Sequence, residues 1–170
     1  MSFKELLKRI ETSSKFKEFK KKHPNAKLYS AFFTLRKAFG TIVEDSQQLD
    51  YLLGENKIVT FFLQDEEVKL KQDELEKKVQ NFKGLNKKIS IDIEELKEII
   101  EKEIKKQKIK SDIQEIVAIL QMENKIQIWN VIVLLSSFEM LRLHIDMQGK
   151  IFFSKKESFM DFIKIKKQEN

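Results

Sequence analysis

A chain of 170 residues is long enough for one domain or two small ones, and its hydrophobic content of 41% is enough to form a core. It has no cysteine, which excludes disulfides, thiol catalysis and cysteine-ligated metal sites. Charged residues of both signs make up 35% of the chain, which argues against disorder, and no apolar run is long enough for a transmembrane helix. The first residues lack the apolar run of a secretory signal, so we expect a cytoplasmic protein.

The net charge of +6 raises the question of a polyanionic partner. Almost all of the basic residues are lysine, and the only arginines are Arg9, Arg36 and Arg142. Lysine is a solvated point charge, whereas the planar guanidinium of arginine reads base edges and clamps phosphates. The lysine content is also typical of an AT-biased genome, so charge alone is weak support for nucleic-acid binding.

The first 22 residues predict two short helices. Residues 2–12 carry apolar side chains at helical spacing. Ser13 and Ser14 can cap a second helix, from Lys15 to Lys22, which ends before Pro24 because the residue that precedes proline avoids the α region.

Four strands are predicted between residues 27 and 70, where β-branched and aromatic runs alternate with turn residues. The predicted strands are 27–36, 47–53, 58–63 and 68–70, with residues 39–46 as a turn around Gly40. From Gln72 to Lys88 the chain is polar, which is typical of a linker.

The second half repeats this order of elements. A helix begins at Asp92, where Glu95 completes a capping box, and ends near Lys110. The predicted strands that follow are 113–122, 126–135, 138–146 and 151–153. Ser158 is a candidate cap for a last short helix that carries Phe159, Phe162 and Ile163.

This order predicts an α+β protein of two cystatin-like units, each a helix packed on an antiparallel sheet of about four strands. We take residues 1–75 as the first unit, 76–91 as a linker and 92–165 as the second unit. An internal duplication explains the recurrence, and coincidence in a lysine-rich α+β protein is the alternative.

Residues 92–154 resemble a PepSY-like domain, which is a cystatin-like helix on a four-stranded antiparallel sheet. The motifs that carry the resemblance are Asp92-x-x-Glu95-Leu96, Ile116-Val117-Ala118-Ile119, Trp129-Asn130-Val131-Ile132-Val133 and the closing hairpin from Leu143 to Ile151. The whole chain is also similar to small uncharacterised archaeal proteins with a Pro-Asn-Ala entry to the first strand. The resemblance implies binding or regulation and no catalysis.

The candidates for catalysis are few. Only His23 and His144 are available as histidine bases, and His23 precedes the sole proline at the end of a helix. His144 and Asp146 fall on one face of a strand, where the carboxylate can orient the imidazole, but no serine is placed to complete a triad. Neither a metal-ligand spacing nor a glycine-rich phosphate loop is present. We therefore expect no enzyme activity and no cofactor.

Partner binding is the remaining class of function. An antiparallel sheet that is covered on one side leaves the other face open for a peptide, an apolar ligand or a second copy of the chain. We expect a non-catalytic binding or structural protein that uses a sheet face or edge, with a homodimer as one form. The alternative is weak nucleic-acid binding through the N-terminal basic helix. The candidate partner-binding residues are Lys15, Lys17, Lys20, Lys21, Lys22, Trp129, Asn130, His144 and Asp146.

Overall fold

A computed structural model describes residues 1–38, 40–158 and 160–161 of the chain. Over these residues the order is two helices, four strands, one helix and four strands. The helices are α1 (Phe3–Thr12), α2 (Ser14–Lys22) and α3 (Ile93–Lys106). The strands are β1 (Lys27–Ala38), β2 (Thr41–Leu53), β3 (Lys57–Gln64), β4 (Glu67–Glu74), β5 (Ile113–Glu123), β6 (Ile126–Leu135), β7 (Glu139–Asp146) and β8 (Ile151–Ser158).

All eight of these strands belong to one antiparallel sheet with the order β4-β3-β2-β1-β5-β6-β7-β8. The α+β class is confirmed, but the prediction of two separate helix-on-sheet units is wrong. Strand β1 pairs directly with β5, from Ala31 opposite Leu120 to Arg36 opposite Glu115. The first strand of a four-stranded meander is an open edge with unpaired backbone N–H and C=O groups. Pairing two such edges satisfies these groups, and the side-chain pattern does not reveal that pairing. The division into residues 1–75, 76–91 and 92–165 as domains stays a prediction.

The three helices pack on the same face of the sheet. Their buried side chains join the inward-facing residues of the strands in one apolar cluster. In the first half, Phe16 and Phe19 of α2 lie against Tyr51 and Phe61, with ring centroids 4.9–6.0 Å apart. In β6 from Trp129 onward and in β7 from Leu141 onward, every second residue is buried in this core, as expected for a strand with one face buried.

One predicted turn differs from the structure, and one predicted helix cannot be compared with it. The turn predicted for residues 39–46 is mostly strand, because β2 begins at Thr41. A bulge interrupts the β1–β2 pairing near the ion pair between Arg36 and Asp45, whose charged atoms lie 2.8 Å apart. Pairing with β1 keeps this polar stretch of β2 in the sheet, although its composition is typical of a turn. The predicted helix residues Phe159, Phe162 and Ile163 lie outside the described residues.

One carboxylate caps two helices. The Asp92 side chain completes the capping box of α3 with Glu95, and its Oδ1 atom also accepts a hydrogen bond of 2.7 Å from the backbone N–H of Phe3. Its Oδ2 atom lies 3.4 Å from the backbone nitrogen of Lys4, so the unpaired N–H groups of α1 and α3 converge on the same side chain. Asp92 therefore fixes the first helix of the chain to the helix that covers β5–β8.

Replacing Asp92 by alanine should lower the free energy of unfolding by about 2 kcal/mol, since two helix N-termini lose their acceptor and each cap contributes about 1 kcal/mol. The matched control is Ser2→Ala, which removes the cap of α1 alone and should cost about half as much. Urea unfolding followed by circular dichroism measures both. Equal losses for the two variants would contradict the double cap.

Candidate functional site

The helix-free face of the sheet is the face opposite α1, α2 and α3. At its centre, β1, β5 and β6 carry five outward apolar side chains, with Thr34 opposite Val117 and Asn130 opposite Ile119. We call this surface the apolar belt, and it consists of Phe32, Val117, Ile119, Ile132 and Leu134. Cross-strand pairing makes the belt continuous, because Phe32 lies opposite Ile119 and Val117 lies opposite Ile132.

The belt is unusual for a sheet that is covered on one side. The uncovered face of such a sheet is normally polar, whereas all five belt residues are apolar and only half-buried. Apolar side chains that lie next to one another on a surface are a feature of interaction sites. The belt is therefore the part of this face best suited to contact a partner.

A polar cluster borders the belt on β2. The Asp50 carboxylate accepts hydrogen bonds of 2.6 Å from the hydroxyls of both Ser30 and Thr60, which lie directly opposite it on β1 and β3. The Gln48 side-chain amide lies 3.4 Å from Asp50 Oδ1. Ser30 and Thr60 are buried and Asp50 is half-buried, so this carboxylate is held in place by neutral donors.

The segment between β4 and α3 forms a wall beside Asp50. The Lys27 ammonium donates to the carbonyl of Phe82 at 2.6 Å, and the Phe82 ring meets the Tyr29 ring edge-on at 5.2 Å. The backbone N–H of Leu85 donates to the carbonyl of Leu28. These contacts close a cavity of about 480 Å³ over the sheet face. Its lining is Tyr29, Ser30, Phe32, Asp50, Val79, Phe82, Ile119, Gln121 and Met122.

A second polar cluster borders the belt on β7. The His144 side chain is 14% exposed, and its Nδ1 atom lies 3.7 Å from a carboxylate oxygen of Glu123. Its ring lies 4.8 Å from that of Phe153 and 5.7 Å from that of Phe152, while its Nε2 atom is buried without a hydrogen-bond partner among the described residues. Asn130 lies directly opposite His144 on β6.

Ionic contacts continue this cluster onto β8. The Arg142 guanidinium lies 5.9 Å above the Phe153 ring and 3.9 Å from a carboxylate oxygen of Glu157. The hydrogen bond from Lys155 holds the pKa of Glu157 below its usual range, and the charges of Lys155 and Arg142 act in the same direction, against the effect of burial. Histidine, arginine and carboxylate groups thus lie together at this border.

Of the candidate partner-binding residues in the second half of the chain, Trp129 lies apart from the other three. Trp129 is fully buried on the helix-covered face, where its indole N–H donates to the Ile91 carbonyl at 2.8 Å. Asn130 and His144 do meet on the helix-free face. Asp146 shares that face, but its Oδ1 atom accepts from the backbone of Gln148 and Lys150 and so closes the β7–β8 turn. The structure pairs His144 with Glu123, and Asp146 with the turn.

The five candidate lysines lie on α2, and two of them make contacts within the protein. The Lys20 ammonium donates to the carbonyls of Pro24 and Ala26, and Lys22 pairs with Glu18 at 2.7 Å. Lys15, Lys17 and Lys21 have exposed side chains. The helix packs by Phe16 and Phe19, so its basic side faces solvent.

The residues that sequence reasoning missed are Asp50, Ser30, Thr60 and Phe82. Three of these are polar residues inside apolar strands, and they become a group only when the register of β1, β2 and β3 is known. Phe82 is an isolated aromatic residue in a polar segment. Such a residue is a signal that its segment packs against another part of the protein.

Two classes of site have no candidate in the described part of the chain. Across residues 1–38, 40–158 and 160–161, no three His, Asp or Glu side chains come together in a way that could hold a metal ion. In the same ranges, no helix is both long enough and apolar enough to cross a membrane.

Comparison with known proteins supports the fold and goes no further. No protein-family model matches the chain, and no curated protein matches it. Among solved structures it is similar to a crystal structure of a "putative lipoprotein" from Clostridium difficile 630, with a TM-score of 0.55 and 14% sequence identity. The match covers 84% of this chain and 90% of that one. At this identity, the similarity establishes a shared fold alone.

Replacing Trp129 by phenylalanine should lower the free energy of unfolding by about 2 kcal/mol, because the partly buried Ile91 carbonyl loses its donor and a small cavity forms. Asn130→Ala is the neighbouring control and should change it by less than about 0.5 kcal/mol. Urea unfolding should be followed by circular dichroism, since the substitution removes the only tryptophan. A neutral Trp129→Phe variant would contradict the structural role of the indole.

Proposed function

We propose that this protein is a non-catalytic binding protein that takes a protein or peptide partner on the helix-free face of its sheet. The observation that carries the proposal is the apolar belt. The polar clusters around Asp50 and His144 lie on either side of the belt, and an apolar centre with a polar rim is the usual anatomy of a protein interface. A second copy of the chain is one such partner, which gives a homodimer.

The face is a better candidate than the edges for this contact. The outer strands β4 and β8 carry lysines at Lys69, Lys71, Lys155 and Lys156. Charged side chains on an edge strand, lysine above all, oppose the addition of another strand. A partner that docks on the face avoids these charges and covers apolar surface instead.

The double variant Ile119→Lys/Ile132→Lys tests the face directly. Peptides selected from a random library on the wild-type protein should bind this variant at least tenfold more weakly, because two charges would be buried in the contact. Phe138→Lys is the matched control, since Phe138 is 78% exposed in the β6–β7 turn and lies outside the belt. Isothermal titration measures the affinities, and thermal unfolding confirms that the variants fold.

Sedimentation equilibrium over a concentration series tests the homodimer in the same samples. A rise in mass with concentration that the double variant abolishes supports self-association through the belt. A strict monomer for which no peptide is enriched, or peptides that bind the double variant as tightly as the wild type, would reject the proposal.

Weak nucleic-acid binding through α2 stays the alternative, and the structure sharpens its test. Lys15→Gln/Lys17→Gln/Lys21→Gln removes the three lysines of α2 that have no hydrogen bond or ion pair within the described part of the chain. This variant should abolish any salt-sensitive binding to a generic duplex. The control is Lys105→Gln/Lys108→Gln/Lys110→Gln, which makes the same change in net charge elsewhere. Fluorescence anisotropy at low salt measures both, and equal losses would show that only net charge matters.

The expected cytoplasmic location also stays a prediction. The structural neighbour is described as a "putative lipoprotein", and at 14% identity this description does not carry over to the present chain. Fractionation of the cells that produce the protein distinguishes a soluble pool from a membrane-bound one.

A further inference from the structure

The cavity beside Asp50 combines a carboxylate with aromatic walls. Its volume is about 480 Å³, and rings from Tyr29, Phe32 and Phe82 contribute to its lining. The carboxylate of Asp50 and the side chain of Gln121 are polar groups of the same lining. A cavity of this size, mostly apolar and with few polar groups, has the character of a small-ligand site.

The negative charge of Asp50 has no positive partner among the described ion pairs. Its hydrogen bonds come from the neutral hydroxyls of Ser30 and Thr60, with the Gln48 amide at a longer distance. The nearby ammonium of Lys27 is engaged by the Phe82 carbonyl. The hydrogen bonds of this half-buried carboxylate come from neutral donors, so a cation in the cavity would offset the cost of its desolvation.

The walls of the cavity are held in place before any ligand arrives. A bulge at Tyr29 interrupts the β1–β2 register, and this adds a residue to the strand beside Asp50. On the other side, hydrogen bonds from Leu75 and Val79 to the Asn56 and Glu55 carbonyls fix the segment that carries Phe82. Such preorganisation lowers the entropic cost of binding.

We propose that this cavity binds an alkylammonium group, with the ammonium on Asp50 and the carbon chain against Phe32 and Phe82. Each oxygen of Asp50 already accepts one short hydrogen bond, which suits a compact ammonium better than a guanidinium that needs two free oxygens. Aromatic faces add cation–π attraction. The group can belong to a free amine or to the lysine side chain of a partner. The cavity shares Phe32 and Ile119 with the belt, but the proposal does not depend on the proposed function, since a free amine needs no protein partner.

Two pairs of probes that differ in charge alone test the proposal by NMR titration of the isotope-labelled protein in phosphate buffer. Butylammonium is compared with 1-butanol, and N-acetyl-lysine amide with N-acetyl-norleucine amide. In at least one pair the ammonium member should bind at least tenfold more tightly than the neutral member. It should shift the amide signals of residues 29–32 and 79–82. Binding of butylammonium alone assigns the site to a free amine, whereas binding of the lysine amide assigns it to a partner's lysine.

Three variants make the result specific. Asp50→Asn, whose side-chain oxygen can accept from one of the two hydroxyls while its NH2 group donates to the other, should abolish the preference for ammonium. Phe82→Ala should weaken butylammonium binding several-fold, although it leaves the Asp50 carboxylate in place. It serves as the test if Asp50→Asn unfolds. Asp73→Asn is the control, because Asp73 is an exposed carboxylate on the same sheet face, outside the cavity. No preference for ammonium in either pair, a preference that survives Asp50→Asn, or binding of the ammonium probe that Phe82→Ala leaves unchanged would overturn the proposal.

Discussion

The antiparallel pairing of β1 with β5 is the constraint on which the rest of the molecule depends. Each half of the chain makes a meander, and the two meanders share no other strand pairing. Because the pairing aligns Phe32 with Ile119, it makes apolar residues from both halves into one surface. The cavity beside Asp50 depends on it too, since Ile119 and Met122 of β5 complete a lining that otherwise comes from the first half.

The helices determine which face of the sheet is free. Their apolar side chains all join one cluster, so the opposite face keeps the apolar belt and the two polar clusters that border it. Asp92 ties α1 to α3 on the covered face, and the indole of Trp129 holds the chain just before α3. The segment that leaves β4 takes part in both regions, because it lines the cavity with Phe82 on its way to the helix-covered face.

The local elements of this protein are readable from its sequence, and their assembly is not. The β-like run 126–135, the alternation over 138–146 and the capping box at Asp92 predict strands and a helix correctly, because these signals are local. The two meanders are joined by hydrogen bonds between backbone groups of β1 and β5. Because all residue types share these groups, the sequence does not mark the two strands as partners. The candidate site follows the same division. His144 and Asn130 were identified from side-chain type, whereas Asp50, Ser30 and Thr60 become neighbours only through strand register.

The β1–β5 pairing also has a consequence for how the chain reaches its fold. Every other pairing in the sheet joins strands that are consecutive in the chain, so each forms at a small cost in loop closure. Partners in β1 and β5 are about 85 residues apart, and such distant contacts slow folding. At ribosomal speeds of about 5–20 residues per second, β1 waits several seconds with an unpaired edge before β5 is made. During that interval the edge of β1 is the part of the nascent chain most open to pairing with a wrong strand.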